Sequence, residues 1–119
     1  MLTRFYLKRL AESGLGMSRT WTGTDDVVLW AVPLFVDNVD EILTRAGRAG
    51  LPVATWFGTL PVHLAASTAK QLDYTRGTCP RSEWLVEREI HLLTSPTVTL
   101  QQAEAAIQLI RKNARFSEL

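Results

Sequence analysis

An α/β domain is predicted from three features of the 119-residue sequence. Segments with helical spacing of apolar residues alternate with short, continuous apolar runs. No segment repeats, and no linker or low-complexity tract divides the chain. The length suits one compact unit over residues 1–119, and 46% hydrophobic residues with four tryptophans supply an ordinary core.

Residues Leu2 to Ser13 are expected to be helical, with Leu2, Tyr6 and Leu10 on one stripe and Arg4 and Lys8 on another. Gly14 and Gly16 end that helix. Ser18 to Asp26 is polar and reads as a loop around Trp21. Val27 to Val32 is apolar on both faces, which predicts a strand buried on both sides. Pro33 lacks a ladder donor, so the strand lies at an edge or is bulged there.

Asp37 is a good N-cap for a helix from Asn38 to about Ala49, with Val39, Ile42, Leu43 and Ala46 on one apolar face. Gly50 stands where a left-handed C-cap is wanted, and Pro52 prevents continuation. A short strand from Val53 to Trp56 follows.

Phe57 to Thr78 has weak periodicity, with a helical turn expected near Ala65 to Leu72. Pro80 opens a helix to about Arg88, capped by Thr78 or Cys79. Ile90 to Leu93 reads as a strand. Thr99 and Gln102 form a capping-box pair opening a last helix, with Leu100, Ala103, Ile107 and Ile110 inward.

Composition excludes several function classes. A net charge of +1 gives no electrostatic case for nucleic acid or a membrane surface. Arg111, Lys112 and Arg115 are the nearest basic cluster, and they suit a helix C-terminus. The single cysteine, Cys79, rules out an internal disulfide and a Cys-rich metal site. The longest apolar run, Val27 to Val36, is about half of a roughly 20-residue membrane span. The N-terminus mixes charged and apolar residues, unlike a signal peptide. A soluble, cytoplasmic protein is therefore expected.

The order of short motifs carries more information than periodicity does. Phe35-Val36-Asp37 precedes a helix; Gly50 and the Val53–Trp56 strand follow, then Leu60-Pro61-Val62-His63-Leu64, Tyr74 and Cys79-Pro80. After those come a helix, a Leu-rich strand, Ser95-Pro96 and Thr99. From about Arg4 to Lys112 this series resembles the C-terminal end of the DegT/DnrJ/EryC1/StrS aminotransferases.

The resemblance implies the small C-terminal domain of the aspartate-aminotransferase class, pyridoxal phosphate (PLP) fold type I. That domain has a few-stranded mixed sheet with helices mainly on one face. The family transfers an amino group from glutamate or glutamine to a keto-sugar nucleotide and works as a homodimer. Its catalytic lysine, its aspartate facing the pyridine nitrogen and its phosphate-binding residues belong to a large domain that would precede Met1. One departure concerns Leu92 to Pro96, which lacks the family's first proline and its His/Tyr position.

No residue here is expected to be catalytic, and no cofactor or metal is expected on this chain alone. A Schiff base needs a desolvated lysine. Lys8 and Lys112 fall on charged helical positions, leaving Lys70 in the irregular segment. Trp56 and Phe57 could stack on a ligand ring, and the resemblance puts His63 on a loop facing the substrate cleft. Tyr74 is a fourth candidate contact. His91 is read as a core or edge histidine. Arg45, Arg48 and Arg76 could meet a diphosphate, although exposed helix arginines need no ligand.

The leading reading is a non-catalytic substrate-side or oligomerisation module, or a standalone descendant that kept the fold. Its partners would be a second copy, a large domain in trans, or a nucleotide-sugar-like ligand. The alternatives are an unrelated ligand-binding or protein-interaction module and a small enzyme using Cys79 or His63.

Overall fold

The structure is a computed structural model that describes residues 1–15, 28–55 and 65–116. In chain order its elements are α1 (Leu2–Glu12), β1 (Ala31–Phe35), α2 (Val39–Arg48), β2 (Val53–Thr55), α3 (Ala66–Gln71), α4 (Pro80–Arg88), β3 (Glu89–Leu93) and α5 (Leu100–Asn113).

The expected α/β class is what forms, with one difference in detail. The three described strands run β1-β3-β2, and β3 is antiparallel to both neighbours, so the sheet is not mixed. β1 and β2 are thus parallel to each other, joined through α2, with β3 inserted between them. That insertion removes any parallel ladder. Ladder direction is set by a strand more than thirty residues downstream, which apolar patterning does not encode.

β3 alternates its partners. Val36 N–H donates to Arg88 O and Thr94 N–H to Trp30 O, so even-numbered positions bond toward β1. Leu93 N–H donates to Pro52 O, so odd-numbered positions bond toward β2. In the β1 register Pro33 lies opposite His91, a pair that exchanges no ladder bonds. The missing N–H of Pro33 therefore points off the sheet edge and costs no pairing, which decides for the edge over the bulge. The C-terminal tail covers part of that edge: Asp37 N–H donates to Arg115 O at 2.7 Å, and Val36 bridges Phe116.

One sheet face carries the core. Val32, Leu34 and Val36 of the β1 region and Ile90 and Leu92 of β3 meet Tyr6 and Leu10 of α1, Ile42 of α2, and Ala103, Ala106, Ile107 and Ile110 of α5. Each fully buried aliphatic side chain contributes roughly 1.5–3 kcal/mol. On the opposite face Phe35 packs on Trp84 of α4, ring centroids 5.7 Å apart, and Arg88 covers the indole at 5.1 Å. Helices thus lie mainly, not wholly, on one face.

Three local expectations are corrected. The first strand begins at Ala31 rather than Val27, leaving Val28 81% and Trp30 65% exposed. The whole ten-residue run is apolar, so only pairing with β3, which starts at Ala31 opposite Leu93, selects its second half. The second helix is capped at Asn38, not Asp37, because the Asp37 backbone is engaged at the sheet edge. Leu100, expected inward, is 46% exposed at the first position of α5; Ala106 takes the buried place instead. The capping box forms as the sequence indicates, Gln102 N–H donating to Thr99 Oγ1 at 3.1 Å and Thr99 N–H to Gln102 Oε1 at 3.0 Å.

Candidate functional site

Of the four candidate ligand contacts, Trp56, Phe57 and His63 lie outside the described residues. Tyr74 is half-buried on the connection between α3 and α4, just after Asp73, whose φ is +54°. Its hydroxyl donates to Glu83 Oε1 at 2.7 Å. The same oxygen accepts from Gly77 N–H at 2.7 Å and Cys79 N–H at 3.3 Å.

Glu83 is only 9% exposed, and this triple acceptance explains how a carboxylate can sit there. The Tyr74 hydrogen bond, followed by the two backbone donors, holds Glu83 below the usual carboxylate range despite desolvation. Reciprocally, the carboxylate raises the Tyr74 phenol to about 12.

Glu83 was not among the residues read as functional. A weak signal for it exists in Cys79-Pro80-Arg81-Ser82-Glu83, an acid one position beyond that of a standard capping box. The α4 cap Cys79 makes no side-chain cap bond, so Glu83 supplies the acceptor from within the helix. One turn later, Glu87 binds the guanidinium of Arg76. Two carboxylates on one face of α4 thereby fasten the segment from Tyr74 to Cys79.

The remaining candidates are accounted for locally. Arg45 pairs with Glu41 at 3.0 Å within α2, Arg76 is held by Glu87, and Arg48 is exposed. His91 is 4% exposed, with Nε2 2.8 Å from Glu89 Oε1 and the Trp30 ring edge-on at 5.9 Å, which fits the structural reading. Cys79 is an exposed free thiol. Of the two histidines that could serve it as a base, His63 lies outside the described residues, and His91 is buried with its Nε2 on Glu89.

A cavity of about 680 Å3 lies between the start of α2, the last turns of α4, Thr55 and Arg115. Asp37, Asp40, Glu41 and Glu87 supply its polar rim, and Val39, Leu43 and Val86 its apolar wall. A groove of about 340 Å3 runs between Met1–Thr3, Val28, Thr94, Pro96 and Val98–Leu100, and its lining side chains are uncharged. Tyr74 lines neither. No group of three or more His, Cys, Asp or Glu side chains among the described residues could hold a metal ion. No described helix is long and apolar enough to cross a membrane.

The described residues do not fit PLP. Lys8, Lys70 and Lys112 are all exposed, and Lys8 faces Glu12 at 3.9 Å with a side chain 76% exposed. A Schiff-base lysine is held in a desolvated pocket, and none of these three is. Helix N-termini are the usual phosphate cradles. That of α5 is closed by its own capping box, that of α4 by Glu83, and the first turn of α2 carries Asp40 and Glu41.

No curated protein and no solved structure shows a significant match to the chain. The sequence profile of the DegT/DnrJ/EryC1/StrS aminotransferase family, a PLP-dependent family, matches residues 2–111. That match takes in every described element from α1 to the last turns of α5, and the three-stranded sheet is consistent with a small domain of such enzymes. The chain belongs to the DegT/DnrJ/EryC1/StrS aminotransferase family.

Proposed function

We propose that this domain is a non-catalytic, substrate-side module of an aminotransferase. It contributes ligand contacts and a docking surface, while a PLP-bearing large domain in another segment or chain supplies the chemistry. The observation that carries this reading is the state of the three lysines, all exposed, beside the N-termini of α4 and α5, which the chain's own side chains close. A module of this kind needs no Schiff-base lysine of its own.

A docking role is supported by the uncharged groove at the α1 and α5 N-termini. Three of the large exposed apolar side chains, Met1, Val28 and Leu100, line it. Clustered exposure of this kind marks interaction surfaces more often than scattered residues do. Ligand contact is assigned to Tyr74, Trp56, Phe57 and His63, of which the family resemblance brings Trp56, Phe57 and His63 toward the substrate.

The test is titration with PLP, following the visible Schiff-base band and borohydride trapping. The expected result is no saturable adduct, or slow labelling spread over several lysines. A stoichiometric adduct on one lysine, Lys70 above all, would overturn the proposal.

A further inference from the structure

We propose that residues 114–116 are a guard strand that holds the outer edge of β1 closed against strand pairing with a second copy of this chain. The inference is independent of the substrate-side reading.

The edge is a template for pairing by its own chemistry. β1 is Ala31-Val32-Pro33-Leu34-Phe35, apolar throughout, with no charged side chain to discourage pairing. Its even-numbered backbone groups bond toward β3, so those of Ala31 and Phe35, and of Asp37 just beyond, face away from β3. No other strand among the described residues borders β1 on that side. A row of this kind pairs with an extended chain laid beside it, and in a two-fold dimer that chain is the same strand of the second copy.

Two features interrupt the row and divide it between them. Pro33, at the centre, offers no N–H. Beyond it the tail lies antiparallel against the strand end, with Val36 bridged to Phe116 and Asp37 N–H donating to Arg115 O at 2.7 Å. The tail is fixed by groups outside the sheet. Asn38, 6% exposed, accepts from Arg115 N–H at 2.8 Å and donates to Asn113 O at 2.9 Å, while Phe116 packs against the core. A buried carboxamide bonded to the tail at two points sets its register against β1, which the packing of Phe116 alone would leave free to slip.

The experiment is sedimentation of the chain ended after Asn113, compared with the full chain. Both carry Val28→Thr and Leu100→Gln, so that association through the uncharged groove does not enter the comparison. The shortened chain is expected to self-associate at least about tenfold more tightly, the effect of roughly one net backbone hydrogen bond. Hydrogen exchange over Ala31–Asp37 should slow as its concentration rises. Adding Pro33→Val, which restores a donor, should tighten association further. Phe116→Ser in the full chain keeps Arg115 O on Asp37 N–H and should associate no more than the full chain does. If the shortened chain does not fold, Arg115→Pro, which lacks the N–H held by Asn38, carries the same expectation.

Association equal to that of the full chain, or association that leaves exchange in β1 unchanged, would overturn the proposal. So would Phe116→Ser associating as strongly as the shortened chain, because uncovered apolar surface rather than an open edge would then be the cause.

Discussion

Arg9 of α1 and Glu104 of α5 form a two-point ion pair across 95 residues of chain, Nε to Oε2 at 2.8 Å and Nη2 to Oε1 at 2.5 Å. The contact fixes the first helix against the last beside the buried Tyr6–Ile107 layer. Arg9 and then Gln108 hold Glu104 down to about 2, below its ordinary 4.5. A depressed carboxylate stabilises the fold fully above its unfolded pKa, and that contribution is lost as pH falls through the folded value. The pair's contribution should therefore be complete above about pH 4.5 and vanish toward pH 2. Both side chains are about one-third exposed, so the magnitude is that of a good surface pair, about 0.5–1 kcal/mol. Urea unfolding of wild type and Glu104→Gln at pH 7 and pH 2.5 checks this: the gap at pH 7 should shrink at pH 2.5. A gap that persists or widens in acid would refute the assignment.

Asn38 joins three elements that sequence reading kept apart. Its Nδ2 donates to Asn113 O at 2.9 Å and Glu41 Oε2 at 2.8 Å, and its Oδ1 accepts from Arg115 N–H at 2.8 Å. This amide is also the main cause of the lowered Glu41 pKa. Asn38→Asp keeps the acceptor for Arg115 but replaces two donated bonds by repulsion against Glu41. The expected loss is about 2–3 kcal/mol at neutral pH. It should be smaller near pH 4, where an introduced carboxylate facing another would be partly protonated. Thermal unfolding at the two pH values measures it, and an equal loss at both would exclude the charge argument.

How legible this was from sequence depends on the range of the cause. The α5 capping box, the Gly50 turn at φ +62° and the Ile42–Ala46 face were readable because each is fixed by residues within one turn. The start of β1 and the all-antiparallel ladder were not, because β3 chooses them from across the chain. The site was legible in part. Tyr74 was singled out from motif order, but its partner Glu83 is defined by three donors converging on one oxygen, a relation that only the folded segment reveals.

Gly50 follows the C-terminal end of α2 with φ +62°, and a Cβ there would meet nothing within 4 Å. Any penalty for Gly50→Ala is then conformational rather than steric. The expected destabilisation is about 1 kcal/mol, from forcing a side chain into the left-handed region. Gly50→Asn should lose less, since asparagine tolerates that region. Equal stability of Gly50→Ala and wild type in denaturant titration would mean the turn is not held left-handed in solution.

Ile107 and Leu100 lie on the same helix and separate packing from docking. Ile107 is fully buried against the sheet, so Ile107→Ala should cost about 2–5 kcal/mol by removing contacts and leaving a cavity. Leu100 is half-exposed on the rim of the uncharged groove with Val28. Leu100→Gln and Val28→Thr should each change stability by less than about 0.5 kcal/mol. If the groove is a docking surface, the double variant should also lower self-association in sedimentation, or weaken capture of the PLP-bearing domain, while unfolding is unchanged. A large stability loss in Leu100→Gln would make that residue part of the core and remove the groove from the docking argument. Unchanged association in the double variant would move the interface to another face of the domain.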